Sequence, residues 1–437
     1  MLEAKTKVKR YDTYKYSGVE WLGEIPSHWE VKRFKHIFKE KKITHDVKLN
    51  CGSISFGKVV FKDDEKVPVS TKKSYQVLNK GEFLINPLNL NYDLKSLRIG
   101  LSDKDVVVSS GYIIVQNVAE LSKVYYKWLL HIFDIAFMKT LGSGVRQTLS
   151  FAHVANSELV FPPLSEQTKI AQFLDDKTSK IDVAVTIKEQ QINLLKERKQ
   201  ILIHKAVTQG LNPNVTLKDS GVEWIGKIPK HWEVKRFRYV FNLGKGLTIT
   251  KENLRDEGVY CVNYGEIHSK FGFELDTKIH KLKHVDKEYL ESDPRALIKN
   301  GDFVFADTSE DIEGSGNFTY LKSEDEIFAG YHTVVAKPKF EIVSRFFAYI
   351  FESESFRNQI RTKVKGVKVF SITQSLLKQP TVWFPSKKEQ KEIINYLDSG
   401  AKKIETAINL KLQEIEKLKE YKSSLINSVV TGKVKVC

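Results

Sequence analysis

Residues 17–34 read SGVEWLGEIPSHWEVKRF, and residues 220–237 read SGVEWIGKIPKHWEVKRF. Fifteen of the eighteen positions are identical at an offset of 203 residues, so the chain was built by duplicating one unit. A second pair of copies agrees: FPPLSEQTKIAQFLDDKTSKID from Phe161 returns as FPSKKEQKEIINYLDSGAKKIE from Phe384, at an offset of 223. The offset grows by 20 because the intervening stretch is longer in the second unit, residues 238–383 against 35–160. A duplicated protein that keeps its frame while its inserts drift apart is expected to use them to read two different things.

Each unit runs in one order: a Trp-rich block, a variable segment, a charged helix with apolar periodicity. In the second helix Ile394, Ala401, Ile408, Ile415, Lys422 and Val429 fall at one heptad position, and Leu397, Ile404, Lys411, Leu418 and Leu425 at the other. Nine of these eleven are apolar, which is a coiled-coil seam. The first helix offers Ala171, Thr178, Val185, Ile192, Lys199 and Ala206 with Leu174, Ile181, Lys188, Leu195 and Leu202; Lys188 and Lys199 occupy the slots of Lys411 and Lys422. The first helix hands the chain to the second Trp block, and the second should run back. The helices are therefore expected to pair antiparallel about an approximate two-fold axis.

The variable segments read as mixed α and β. Short β-rich runs such as Lys58–Phe61, 106–109 and 111–115 alternate with helical stretches such as 123–137. The two are distant copies: Gly81-Glu-Phe-Leu aligns with Gly301-Asp-Phe-Val, Gly111-Tyr with Gly330-Tyr, and Gly144-Val-Arg with Gly366-Val-Lys. The expected fold class is α+β, two globular domains joined by paired long helices in a pseudo-two-fold tandem repeat. The boundaries read as 1–160 for the first domain, 161–210 for the first helix, 211–383 for the second domain, and 384–437 for the second helix and tail.

The 437 residues carry a net charge of +16 and a pI near 9.3, which fits a polyanion partner. Three distant cysteines (Cys51, Cys261, Cys437) point to a reducing compartment, and the cytoplasm is expected. No apolar run is long enough for a transmembrane helix, and the opening stretch lacks the apolar core of a secretory signal.

Catalytic look-alikes fail on chemistry. Asn86-Pro87-Leu88-Asn89 resembles the Asn-Pro-Pro-aromatic loop of adenine methyltransferases, but its third residue is wrong and no glycine-rich cofactor turn accompanies it. His280 and His284 lack the intervening Glu of a metalloprotease helix, and Asp307, Glu310 and Asp311 read as an ordinary acidic loop. No catalytic residue, cofactor or metal site is expected.

Binding candidates are better. Of 12 arginines against 58 lysines, residues 35–160 hold only Arg98 and Arg146. Arg146 sits in a glycine loop followed by Gln147 and Thr148; Arg reads guanine and Gln adenine through paired hydrogen bonds in the major groove. The equivalent loop carries Lys365 and Lys368, and the alternative for both is a basic turn touching phosphate or solvent. A second polar loop with Asn89, Asn91, Tyr92 and Lys95 aligns with the region of Ser309 and Asn317. The Trp21/Trp29 and Trp224/Trp232 pairs read as core or protein contacts, not base stackers.

The repeated SGVEW-x-G-x-IP-x-HWEVKRF block, the two FP…EQ…LD helix starts and the alternation of matched and divergent regions resemble the specificity subunits of type I restriction–modification systems. The resemblance covers nearly the whole chain. Ser386 and Lys387 stand where the first helix start has Pro163 and Leu164, a small departure. The resemblance implies a non-catalytic, double-stranded-DNA-binding subunit whose variable segments are target recognition domains, each reading half of a split sequence. It also implies paired helices that set the gap, two methylation subunits that bind the methyl donor and modify adenine, and motor–nuclease restriction subunits. Two other classes stay open. A fused methyltransferase or nuclease would bind the methyl donor or cut DNA by itself, and a coiled-coil scaffold would fail a gel shift in competitor DNA.

Overall fold

The computed structural model describes residues 9–88, 97–138, 149–366 and 368–436. It divides into two compact units, residues 1–188 with 412–437, and residues 189–411. The unit boundaries cut through the two long helices, Leu164–Gln209 and Lys387–Val430, instead of falling at their ends. No helix among the described residues is long and apolar enough to cross a membrane.

The repeated blocks build the same clasp in each unit. In the first, strand Glu30–Arg33 pairs antiparallel with Glu158–Phe161, and Glu30 faces Phe161. In the second, Glu233–Arg236 pairs with Thr381–Phe384, and Glu233 faces Phe384. Each clasp joins the two ends of a variable segment just before a long helix begins. The indole of buried Trp29 donates to Glu166 Oε2 at 3.0 Å, and His28 Nε2 lies 2.6 Å from the other carboxylate oxygen. Trp232 donates to Glu389 Oε1 at 3.1 Å, with His231 Nε2 at 2.8 Å from Oε2. The helix-start motif is accounted for nearly letter by letter. Gln167 and Gln390 donate to the carbonyls of Pro162 and Pro385, while Ile170, Leu174, Ile393 and Leu397 are fully buried.

Nine residues further along each helix from Glu166 and Glu389, Asp175 and Asp398 repeat the pattern with different donors. Asp175 accepts from Trp128 Nε1 at 2.9 Å and Lys127 Nζ at 3.3 Å, both on helix Lys123–Ala136. Asp398 takes Arg345 Nε at 2.9 Å and the Tyr349 hydroxyl at 2.5 Å, both on helix Ser344–Glu352. The helix that follows each sheet is thereby locked to the long helix of its own unit.

The sheets share five strands. In the first unit the order is Phe38–Glu40, Ile113–Asn117, Phe83–Ile85, Ile99–Leu101, Lys58–Phe61, and a sixth strand, Gly52–Ser55, extends the edge. In the second it is Phe241–Lys245, Thr333–Pro338, Phe303–Ala306, Phe318–Leu321, Phe273–Leu275. The first four strands are antiparallel in both, and the fifth joins parallel in both. Gly81 and Gly301, aligned in sequence, both take left-handed φ, 84° and 88°, which only glycine adopts without strain. The expected α+β tandem repeat is thus present in detail.

Within each unit the long-helix segments run antiparallel. Lys188 Nζ reaches Glu414 at 2.6 Å and Lys422 Nζ reaches Asp182 at 2.6 Å in the first unit; Lys199 Nζ reaches Glu405 at 2.8 Å in the second. Lys199–Glu405 and Lys422–Asp182 are copies of one another under the 223-residue offset. Each lysine lays its alkyl stem along the seam and carries its charge to the rim. Exposed pairs of this kind add little stability, so the seam residues Ile181, Ile192, Ile404 and Ile415, all nearly buried, hold the helices. The C-terminal turns repeat too: Tyr125 donates its hydroxyl to the Val430 carbonyl at 2.8 Å, and Trp383 Nε1 donates to the equivalent Val207 carbonyl.

Burial pulls the Glu166 carboxyl upward, but hydrogen bonds from His28, Trp29 and Tyr11 outweigh it and hold the group below the ordinary carboxylate range. A carboxylate with a depressed folded pKa contributes stability that is complete above its unfolded value of about 4.3 and is lost as pH falls through the folded one. Trp29→Phe removes one bond to that carboxylate and should cost about 1.5–3 kcal/mol at neutral pH. The penalty should shrink at acid pH, where Glu166 is protonated, and urea unfolding at both pH values measures the difference.

Candidate nucleic-acid interface

One end of the second unit brings several chain segments together by backbone bonding. Strands Thr308–Ser309 and Phe370–Ser371 pair antiparallel. Beside them the Ile372 amide donates to the Asp307 carbonyl at 2.7 Å, and the Asp307 amide donates to the His332 carbonyl at 3.0 Å. Before Phe370 the backbone comes close to itself: a Cβ on Gly366 would sit 2.1 Å from the Val369 carbonyl oxygen. Lys365 and Lys368 lie on this stretch, and both are exposed.

His332 holds the centre of this end in a left-handed conformation, φ 55°, uncommon for any residue but glycine. The backbone just before it is pinned, since a Cβ on Gly330 would lie 2.0 Å from Asn263 Oδ1 and 2.8 Å from Cys261 Sγ. Its exposed ring stands edge-on to Tyr264 at 5.2 Å, and its Nδ1 lies 3.2 Å from Asp307 Oδ1. That contact orients the imidazole and directs its far edge outward. Tyr264, Thr308, His332 and the two lysines therefore present hydrogen-bonding groups, a ring and positive charge on a pre-organised surface. Strained backbone at such a place is a recurring mark of functional sites.

The structure sorts the sequence-derived candidates. Asn89, Asn91, Lys95, Arg146, Gln147 and Thr148 lie outside the described residues. Arg98 is 5% exposed and points inward; its Nε donates to fully buried Asp134 at 2.9 Å, a core ion pair instead of a surface reader. Ser309 is buried, and its Oγ accepts from the Asp311 amide at 3.4 Å. Asn317 is half-buried, with its amide nitrogen 2.8 Å from His268 Nδ1 and its oxygen accepting from Arg357 at 2.6 Å. Arg98 and Ser309 are thus buried, and half-buried Asn317 has both ends of its amide in internal bonds. Lys365 and Lys368 keep their exposure. Trp29 and Trp232 are core residues as read from the sequence, whereas Trp224 is 40% exposed.

Sequence reasoning missed Tyr264, Thr308 and His332. The Gly330-Tyr alignment pointed at the right turn, but nothing in the letters shows that the following histidine is strained and outward. Asp307, from the acidic loop, is engaged with Thr308 and His332. Among the described residues no three His, Cys, Asp or Glu side chains are grouped to hold a metal ion.

The profile of the type I restriction modification DNA specificity domain matches residues 26–196 and again 229–417. The type I restriction enzyme MjaVIII specificity subunit of Methanocaldococcus jannaschii is 27% identical over 285 residues, 64% of this chain and 63% of that protein. The chain thus spans a little under two thirds of that relative. The putative type I restriction enzyme MjaX specificity subunit of the same organism is 25% identical over 447 residues, 95% of this chain and 96% of its own length. A chain in a solved structure of the type I R-M system superposes with a TM-score of 0.69 at 12% identity, covering 93% of this chain and 98% of that one, a likeness of fold.

The surface makes separable demands on a bound duplex. Lys365→Gln and Lys368→Gln should weaken all sequences alike and reduce the salt slope by about one per lysine. His332→Ala should instead leave the slope alone and cost about 1–3 kcal/mol of discrimination at one base pair. Fluorescence anisotropy across a salt series separates the two behaviours.

Proposed function

The chain belongs to the type I restriction modification DNA specificity family, and from that premise we propose that it reads a two-part DNA sequence, one half with each unit. One observation carries this reading: the same clasp, register for register, brackets two sheets that share five strands and then differ. A matched frame around unlike surfaces suits a subunit that delivers one activity to two unrelated half-sites. The net charge of +16 supports a phosphate-backbone partner.

In this reading the chain performs no chemistry itself. Two methylation subunits bring the methyl donor and modify adenine, and motor–nuclease restriction subunits complete the assembly, which works in the cytoplasm. Base contacts come from His332, Tyr264 and Thr308 in the second unit, and from the Arg146–Gln147–Thr148 and Asn89–Asn91–Lys95 loops in the first. Lys365 and Lys368 hold the backbone. The scaffold alternative has no use for an outward, strained histidine on a domain end that also carries exposed lysines.

Replacing residues 238–383 by the corresponding segment of another family member should change one half of the target and leave the other intact. Mapping methylated adenines in DNA from cells expressing the chimera with its partner subunits provides the readout. A change in both halves, or in neither, would defeat the two-reader assignment.

A further inference from the structure

Among the described residues the sixth strand of the first sheet has no counterpart in the second, and its turn is unusual. Strands Gly52–Ser55 and Lys58–Phe61 form a hairpin in which Ser55 faces Lys58, leaving a two-residue turn of Phe56 and Gly57. Both have positive φ, 46° and 73°. A turn with two left-handed residues favours Asn-Gly or Gly-Gly, because a Cβ crowds the backbone there. Phenylalanine is a poor occupant, and burial does not compensate: the Phe56 side chain is 72% exposed. The chain thus accepts backbone strain to hold an aromatic ring out in solvent.

The tip is braced. A Cβ on Gly57 would lie 3.1 Å from Leu97 Cβ and 3.3 Å from the Ile99 carbonyl oxygen, and one on Gly100 would lie 2.8 Å from the Gly57 carbonyl oxygen. The turn therefore rests on the neighbouring strand, and its ring is presented from a fixed base. Along the same hairpin Lys58, Phe61 and Lys62 are exposed, and Lys104 sits over the Phe61 ring at 4.8 Å. Of the acidic residues that follow, Asp63 pairs with Lys66 at 3.0 Å and Asp64 with Lys72 at 2.6 Å, and the exposed Glu65 lies beyond them. Rings interleaved with lysines complement stacked bases on a phosphate backbone better than an apolar protein surface.

We infer that Phe56 is a wedge: its ring enters the stack of a duplex at the half-site read by the first unit, with Lys58 and Lys62 on the flanking phosphates. This rests on the DNA-reading function proposed above. Insertion of apolar side chains between base steps is an established way to kink a duplex, and aromatic stacking tolerates many sequences. Among the described residues the second unit has no such hairpin, so distortion should be confined to one half of the target.

The test uses the full chain and a duplex bearing the target mapped from methylated adenines, with 2-aminopurine placed along the first unit's half. Phe56→Asn supplies a residue that the turn prefers, so it should fold at least as stably as the parent. It is expected to bind about 5- to 100-fold more weakly, with an unchanged salt slope and without the 2-aminopurine fluorescence rise that marks unstacking. Phe56→Trp should restore both. If Phe56→Asn binds as tightly as the parent with the same fluorescence rise, the wedge is wrong while the DNA-reading function stands. If it binds DNA normally but no longer co-purifies with the methylation subunits, the ring is a protein contact and the wedge is again wrong. If the parent chain fails to bind the duplex, alone or with the methylation subunits, the underlying function falls and the wedge with it.

Discussion

The pairing of Glu30–Arg33 with Glu158–Phe161, repeated as Glu233–Arg236 with Thr381–Phe384, fixes where each variable segment begins and ends. Once the two ends are joined, the entropy of closing the segment depends only logarithmically on its length. The 20 extra residues of the second insert therefore cost on the order of 0.1 kcal/mol in closure. Such a term is far below what one buried side chain contributes. The clasp thus removes the energetic penalty that would otherwise hold the two inserts to one length, and a strand such as Gly52–Ser55 can be added to one sheet without disturbing the frame.

A carboxylate frame extends this tolerance. Glu166 and Glu389 share an indole and an imidazole partner in both units because those groups belong to the repeated block, and Tyr11 adds a third donor to Glu166 alone among the described residues. Asp175 and Asp398 take different ones, Trp128 and Lys127 in one unit, Arg345 and Tyr349 in the other, because those donors come from the divergent segments. An ionised carboxylate accepts from any hydrogen-bond donor and has room for several. The fixed half of each contact is therefore the permissive half, and the variable half need only supply an N–H or O–H within reach.

These roles explain which features were legible in the letters. The repeated blocks, the seam and its lysines were readable because identical residues recur at constant offsets, and because heptad spacing maps directly onto one helix face; that the blocks pair as strands emerged only from the fold. Arg98 was misread because its partner Asp134 lies 36 residues away and only folding brings them together. Ser309 is buried and Asn317 half-buried, a distinction set by strand pairing that the letters do not show. His332 carries no sequence mark, since its conformation is imposed by Asn263, Cys261 and Asp307 from elsewhere in the fold. The linear boundaries at 160, 210 and 383 follow the order of the blocks. The compact units do not, because the first includes residues 412–437.

That last feature bears on how the protein is born. Ile426, Val429 and Val430 belong to the same buried cluster as Trp29, Phe34, Phe133 and Leu174, and the Tyr125 hydroxyl closes on the Val430 carbonyl. A ribosome must therefore release roughly 220 further residues, on the order of 10–40 s of elongation, between the main part of the first unit and the piece that completes it. The second unit, continuous from 189 to 411, has all its parts as soon as that stretch emerges. The nascent chain matures in reverse of its reading order, and its earliest-made core stays open longest. Premature termination between residues 412 and 430 would leave the first unit, and not the second, with an unsealed apolar face exposed to chaperones and proteases.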